Sequence, residues 1–222
     1  MRSPYAYLSG AGGAAAGWTD LDLSASSAGQ DVNSQIRGVT ASSVTIANGA
    51  ATYTSVSDVA CRYWDATGAI TGAGLFMVEL ELSAALPNST AIGIGLAADG
   101  DDLTTSPSVW TGRKQRGGIY TTVQYWSKWG TGVNTTNGGD LTSHRIVGLM
   151  AVCDSDGSVA TIYEYSRNDS GDGQAYTMTP SQAVAITGTF SEFILTAART
   201  ADYGSAQTVQ IAGIRYQFVA AN

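Results

Sequence analysis

The residues that normally coat exposed helix faces are almost missing from this chain. Its 222 residues include only two lysines and four glutamates: Lys114, Lys128, Glu79, Glu81, Glu164 and Glu192. Their places are taken by Thr, Ser, Val, Ile, Tyr and 27 glycines, which favour strands and tight turns. Because solvent-facing helix positions need strong helix formers such as Lys and Glu, this composition excludes a mainly helical protein and predicts an all-β fold.

Length and charge narrow the class further. A chain of 222 residues lies in the range that β-sandwiches fill as one domain. We divide it into an extended arm of small residues, 1–17, and a single β-sandwich domain, 18–222. The formal net charge of −7 argues against a nucleic-acid partner, which needs dense Lys and Arg on one face. The one basic cluster, Arg113, Lys114 and Arg116, is interpreted as a solvated loop.

No stretch of the sequence is typical of a targeting or membrane segment. The N-terminus leads into Gly and Ala rather than a continuous apolar run, so we expect no signal peptide and synthesis in a cytoplasm. No apolar run approaches the roughly 18 residues of a membrane helix, so we expect no membrane partner. Cys61 and Cys153 lie in apolar, strand-like surroundings and are expected to be buried thiols, although their spacing leaves a disulfide open.

Alternating apolar residues predict roughly a dozen strands and no helix, the pattern of a two-sheet antiparallel sandwich or a barrel. The clearest strand is 73–83. Its alternation puts two sets of side chains on opposite faces: Phe76, Val78, Leu80 and Leu82 on one, and Leu75, Met77, Glu79 and Glu81 on the other.

Turn residues predict two hairpins and one bulge. Asn48-Gly49 joins strands within 44–54, and the turn 154–157 joins 143–153 to 159–165. In the last strand, 208–219, the apolar parity switches between Ile211 and Ile214. This switch predicts a β-bulge near Ala212-Gly213.

Three segments carry a family resemblance that covers about two-thirds of the chain. GLFMVELELS followed by IGIGLAADG is similar to a pair of long central strands. VGLMAVCDSDGSVATIYEY is similar to a hairpin with an acidic-Gly turn, and FILTAARTADYG followed by VQIAGIRYQFV to a closing pair of strands. This order resembles the concanavalin A-like lectin/glucanase sandwich, including laminin-G-type modules. The resemblance implies a jelly roll with one concave sheet.

The same resemblance implies a test for catalysis. Glucanases of this fold place carboxylates along a central strand in an E-x-D-x-x-E pattern. Here Glu79 and Glu81 share a face, but Glu81 stands where Asp is expected and Ala84 replaces the third carboxylate. His144 is the only histidine, so a catalytic triad or a zinc site has little to build on. We therefore expect no catalytic residues and no enzyme, and keep a glycan hydrolase or lyase as the second alternative.

The sequence favours sugar binding over hydrolysis as the role of Glu79 and Glu81. If strands 73–83 and 91–98 pair, Glu79 and Glu81 lie beside the glycines at 93 and 95, while Tyr120, Gln124 and Trp126 alternate on one face of a further strand. Aromatic platforms with nearby carboxylates suit sugars. The glycan-binding candidates are therefore Glu79, Glu81, Tyr120, Gln124 and Trp126. Packing of these aromatics under loops or at a subunit contact is the alternative interpretation.

Acidic loops at 99–102, 154–157 and 168–172 raise the question of calcium, which is common on the rims of lectin-like sandwiches. None matches the D-x-[DN]-x-[DN]-G spacing of a calcium loop. Asp and Gly also form ordinary turns. We expect no metal and no cofactor, with calcium as the minor alternative.

The arm favours assembly. An ordered arm of small residues needs a surface to lie on, and Tyr5, Tyr7 and Leu8 are its candidate anchors on neighbouring subunits. With the lysine-poor composition and the use of jelly rolls in capsids, this favours a virion structural protein of a bacteriophage-like particle. It would be a head decoration, spike, fibre or tail component, made in the host cytoplasm and displayed on the particle. Its partners would be copies of itself, other virion proteins and cell-surface glycans. The first alternative is a carbohydrate-binding, lectin-like module.

Overall fold

The structure is a computed structural model. It describes residues 17–25, 27–28, 44–47, 50–53, 59–87, 90–98, 108–115, 123–129, 132–136, 145–157, 159–167, 190–199 and 207–221. Within these residues no helix has the length and apolarity needed to cross a membrane. The arm anchors Tyr5, Tyr7 and Leu8, the candidate Tyr120 and the turn Asn48-Gly49 lie outside the described residues.

The described residues form fourteen strands and a 3-10 helix at Leu23–Ala25. The strands are β1 Thr19–Asp20, β2 Ser27–Ala28, β3 Val44–Ala47, β4 Ala50–Tyr53, β5 Val59–Asp65, β6 Gly74–Leu82, β7 Thr90–Ala97, β8 Ser108–Gln115, β9 Val123–Trp129, β10 Gly132–Thr136, β11 Ile146–Cys153, β12 Val159–Arg167, β13 Glu192–Arg199 and β14 Gln207–Ala220.

The strands make two antiparallel seven-stranded sheets. The first sheet has the order β12-β11-β6-β14-β4-β3, with β1 also paired to β14. The second sheet has the order β10-β9-β8-β7-β13-β5-β2. The predicted all-β, two-sheet sandwich of the jelly-roll class is confirmed.

The core lies between the sheets and follows from the alternation along each strand. Phe76, Val78 and Leu80 of β6 pack in one cluster with Ile94 of β7 and Phe193 of β13, and all five are at most 1% exposed. The rings of Phe76 and Phe193 lie 6.0 Å apart. Since each such side chain contributes about 1.5–3 kcal/mol on burial, this interface holds the two sheets together. The predicted inward face of β6 is confirmed.

The pairing of both predicted hairpins and the bulge are also confirmed. β3 pairs with β4, and β11 pairs with β12, as hairpins. The second turn needs a glycine, because Gly157 has a φ of +80°. In β14 the register with β6 shifts between Ile211 and Gly213, so Ala212 is the extra residue of the bulge.

Two predicted strand pairings and one predicted loop are wrong. β6 and β7 do not pair, because β6 lies between β11 and β14 of the first sheet and β7 between β8 and β13 of the second. The closing strands β13 and β14 likewise belong to opposite sheets. Arg113 and Lys114 lie in β8 rather than in a loop. Strand alternation defines the two faces of a strand but not its neighbours.

The two cysteines are thiols, as expected. Cys61 lies on β5 in the second sheet and Cys153 on β11 in the first, and no disulfide joins them. Cys153 packs in the core between the sheets, whereas Cys61 is buried outside that cluster.

Candidate functional site

One candidate region is the outer face of the first sheet, the side turned away from the second sheet. Because the inward face of β6 is its even-numbered set, Glu79 and Glu81 lie on this outer face. The register puts Glu79 opposite Gly148 on one side and Arg215 on the other, and Arg215 in turn opposite Asp20. A guanidinium thus lies between two carboxylate positions of neighbouring strands.

An ion pair ties Glu79 to β14. Arg215 donates to one oxygen, Oε2 of Glu79, from Nε at 2.9 Å and from Nη2 at 2.7 Å. The Glu79 side chain is 5% exposed and that of Arg215 is 33% exposed. The Arg215 guanidinium also lies over the ring of Trp18, 4.7 Å from its centroid. Glu79 therefore serves first to join two strands.

The β-bulge opens a cleft beside this pair. It has a volume of about 280 Å³ and is lined by Ala212, Gly213 and Ile214 of β14. The other lining residues are acidic, basic and apolar: Asp20, Glu79, Glu81, Arg215, Leu21 and Leu23. A Cβ placed on Gly213 would meet no atom within 4 Å, so the bulge leaves open space there. We call this cavity the bulge cleft.

The second candidate region is the outer face of the second sheet. Leu195 and Ala197 of β13 belong to the core between the sheets, so Thr196 between them lies on the outer face. The register then defines one row across six strands: Cys61, Thr196, Gly93, Gly112, Trp126 and Thr135. We call this the glycine row.

Two positions of the glycine row are unusual, Thr196 on β13 and Gly112 two strands away on β8. Thr196 is fully buried, and its Oγ1 has no hydrogen-bond partner within the described part of the chain. A Cβ on Gly112 would overlap the carbonyl oxygen of Ile92 and lie 2.5 Å from the Cα of Gly93. The backbones of β7 and β8 therefore approach each other where no side chain could fit.

The next rows extend this face along the strands. Tyr63, Ile194, Gly95, Trp110 and Lys128 are aligned two positions from the glycine row. A last row at the strand ends places Asp65 opposite Glu192. The Asp65 carboxylate accepts the Thr67 amide at 2.8 Å, and hydrogen bonds from the Thr67 side chain first and from its amide second lower the pKa of Asp65. Asp65 thus closes a turn.

The four predicted glycan-binding residues that the structure describes do not form one site. Glu79 and Glu81 lie on the first sheet, and Gln124 and Trp126 lie on β9 of the second. The glycines that were expected beside the glutamates instead share rows with β9, since Gly93 aligns with Trp126 through Gly112.

Sequence reasoning missed Thr196, Gly112 and Trp110. The alternation of Trp110 and Gly112 in SVWTGRKQ was the available signal for a strand, but the adjacent basic residues favoured a loop. Nothing in the sequence marks the hydroxyl of Thr196, because its lack of a partner depends on the packing around it. Among the described residues, no group of three or more His, Cys, Asp or Glu side chains is placed to hold a metal.

No protein-family model matches the sequence. No curated protein matches it either. Among solved structures, the carbohydrate recognition domain of Emp47p is 11% identical with a TM-score of 0.47, over 89% of this chain and 99% of that one. A Bacillus licheniformis β-glucanase is 15% identical with a TM-score of 0.44, over 93% and 94%. The CBM2 module of the evolved Dit of Lactobacillus casei BL23 phage J-1 is 12% identical with a TM-score of 0.43, over 89% and 98%.

These neighbours are of the lectin and glucanase classes that the sequence resembles. With identities of 11 to 15%, the ligand and the chemistry of this chain have to be derived from its own residues.

Proposed function

We propose that the chain is a glycan-binding β-sandwich without catalytic activity, and that the sugar contacts the outer face of the second sheet. The observation that carries this proposal is the glycine row, in which Thr196, Gly93, Gly112 and Trp126 occupy aligned positions on four adjacent strands. With strands about 4.8 Å apart, these positions span about 14 Å, enough for a short oligosaccharide.

Each part of the row has a physical use in sugar recognition. Gly93 and Gly112 add no side chain to the row, although both are buried in the structure. The Thr196 hydroxyl can both donate and accept a hydrogen bond, and a buried hydroxyl without a partner is destabilising unless a ligand or water satisfies it. Trp is the residue whose ring stacks best on the C–H faces of a sugar. Since Thr196, Gly93 and Gly112 are all buried, the sugar would reach the row from the β9 side, at the position of Trp126.

Among the described residues, the placement of the acids supports binding over hydrolysis. Glu79 and Glu81 lie on the other sheet, and Glu79 is held in the ion pair with Arg215. On the glycine-row face, Asp65 and Glu192 are cross-strand neighbours at the strand ends, and Asp65 is engaged by Thr67. A glycosidase needs two carboxyls flanking the scissile bond, one of them available as an acid.

A glycan array followed by titration calorimetry tests the proposal. We expect the best array ligand to bind Trp126→Ala at least about 10-fold more weakly, the effect of losing about 1.4 kcal/mol. Thr196→Val should weaken binding about 5- to 10-fold, the effect of one hydrogen bond of about 1 kcal/mol. Asp22→Asn, an exposed change outside both candidate sites, is the matched control and should bind normally. Absence of any glycan ligand, or equal loss in Asp22→Asn, would contradict the proposal.

Turnover of the same ligands separates binding from hydrolysis. We expect no reducing ends to be released by the wild-type protein. If they are released, loss of that activity in Asp65→Asn or Glu192→Gln would make the chain a hydrolase and overturn the non-catalytic assignment.

We propose further that this module is displayed on a bacteriophage-like virion, with the arm residues Tyr5, Tyr7 and Leu8 in contact with neighbouring virion subunits. The lysine-poor, Gly-rich composition of a jelly roll supports this assignment. Quantitative mass spectrometry of purified particles should find the chain in a fixed copy number per particle, as a symmetric assembly requires. Its absence from washed particles would contradict the assignment.

A further inference from the structure

We propose that the bulge cleft on the first sheet is a second binding site, independent of the glycine row, and that it takes one amino-sugar ring with a free ammonium group. The cleft lies on the outer face of the opposite sheet, so the two sites share no strand. The inference goes beyond the glycan contact proposed above and does not depend on it.

The floor of the bulge cleft is fixed before any ligand binds. Arg215 donates two hydrogen bonds to the buried Glu79, and its guanidinium lies over the ring of Trp18. The adjoining strand β1 is fastened to β14, because the amide of Leu21 donates to the carbonyl of Ile214 at 2.8 Å. A site whose polar groups are already oriented loses little entropy on binding.

The bulge gives the cleft its depth. Ala212 is the extra residue of β14, and Gly213 follows it with open space where a side chain would stand. A regular strand would present a side chain at this position on the outer face, opposite Glu81. The confirmed bulge therefore creates a cavity, consistent with the tendency of bulges to lie next to functional sites.

The charges of the cleft select a cation. Asp20, Glu79 and Glu81 contribute three negative charges and Arg215 one positive charge, so the lining carries a net charge of −2. Glu79 is already neutralised by Arg215, whereas Asp20 and Glu81 are exposed at the mouth. An ammonium group at the mouth would form a charge-assisted hydrogen bond with either carboxylate. An anionic sugar would be repelled.

Size and the other walls argue for a sugar ring rather than an extended chain. A volume of about 280 Å³ is at the small end of ligand pockets, which hold about 300–1,000 Å³. The exposed third of Arg215 can donate to ring hydroxyls, while the half-buried Leu21 and Leu23 offer apolar contact to ring C–H groups. Hydroxyl partners, an apolar wall and a cation site together match an amino sugar.

The experiment compares three monosaccharides by NMR titration of the full chain at low salt. D-glucosamine carries the ammonium, N-acetyl-D-glucosamine has the same ring without the charge, and D-glucose lacks the nitrogen. We expect glucosamine to shift the amides of Gly213 and Arg215 and to bind at least about 5- to 10-fold more tightly than either neutral sugar, the effect of one charge-assisted contact. Added salt should weaken glucosamine binding, because the mouth of the cleft is exposed.

Variants locate the effect. Asp20→Asn and Glu81→Gln should each weaken glucosamine binding about 3- to 10-fold. Asp22→Asn removes the same charge two residues from Asp20 but outside the cleft, and its exposed carboxylate is engaged by Ser24, so it is the matched control. Equal affinity for glucosamine and N-acetylglucosamine, or equal weakening in Asp22→Asn, would overturn the inference. Trp126→Ala should leave glucosamine binding intact, so failure of either site is distinguishable from failure of the other.

Discussion

Replacing either member of the Glu79–Arg215 ion pair should destabilise the protein, but by different amounts. Replacing Arg215 by Met leaves a carboxylate that is 5% exposed without its guanidinium, whereas replacing Glu79 by Gln leaves a guanidinium that is 33% exposed and can be hydrated. Methionine is chosen because its stem still covers Trp18. We therefore expect Arg215→Met to destabilise the protein more than Glu79→Gln.

The magnitudes follow from the burial of each group. Breaking a fully buried pair typically destabilises by about 3–5 kcal/mol. Because one-third of Arg215 is in solvent, screening reduces this to about 2–3 kcal/mol for Arg215→Met. Glu79→Gln retains an acceptor for one hydrogen bond and should lose about 1 kcal/mol. For a chain of this length, 1 kcal/mol corresponds to about 2–4 °C in Tm, so the expected losses are about 5–10 °C and 2–4 °C.

Urea denaturation followed by circular dichroism gives the free energies of unfolding, with thermal melts as a second readout. The double variant should be less destabilised than the sum of the single variants, since each removes the same interaction. If Glu79→Gln is as destabilising as Arg215→Met, or if both lose less than about 0.5 kcal/mol, the pair does not hold β6 to β14 in the way its burial indicates.

Three further changes test other parts of the structure. Gly112→Ala should lower the free energy of unfolding in urea by about 2–3 kcal/mol, because its Cβ would overlap the carbonyl of Ile92. Gly213→Ala has open space around its Cβ and should stay within about 1 kcal/mol of wild type. Equal losses would contradict the close approach of the β7 and β8 backbones. Gly157→Ala should lose about 1 kcal/mol, since its φ of +80° suits only glycine well, and an unchanged unfolding midpoint would refute this. Burial raises the pKa of the Cys153 thiol from 9.0 to about 11, so the unfolded chain loses this proton first as pH rises. The contribution of Cys153 to the free energy of unfolding is therefore fully present below pH 9 and should fall between pH 9 and 11 by about 1.4 kcal/mol per pH unit. The Cys153→Ala variant should lack this slope, so the difference in stability between the two proteins should change between pH 9 and 11; the same slope in the variant would show that Cys153 does not cause it.

Local features of the fold could be predicted because they depend only on residues that are close in sequence. The alternation around Phe76 identified the core face of β6, and the parity switch between Ile211 and Ile214 identified the bulge. Both signals act within one strand, where the pleat alone decides which side chain points inward.

The candidate sites could be predicted only in part because they depend on which strands are neighbours. A period of two places Glu79 and Glu81 on one face. It does not determine whether β6 pairs with β7 or whether the chain crosses to the other sheet between them. The chain crosses between the sheets after Leu82, so the glutamates and Trp126 separate. Within the described part of the chain, the Thr196 hydroxyl lacks a partner and the bulge cleft forms because of contacts between distant segments, which no local pattern encodes.

The central claim is that a sugar contacts the glycine row on the second sheet. Amide chemical-shift mapping with the best array ligand tests it most directly, since a chain of 22.9 kDa gives a resolved spectrum when labelled. We expect the largest shifts at Gly93, Gly112 and Thr196, with β6 unaffected. Shifts confined to the first sheet, or none at saturating ligand, would contradict the claim.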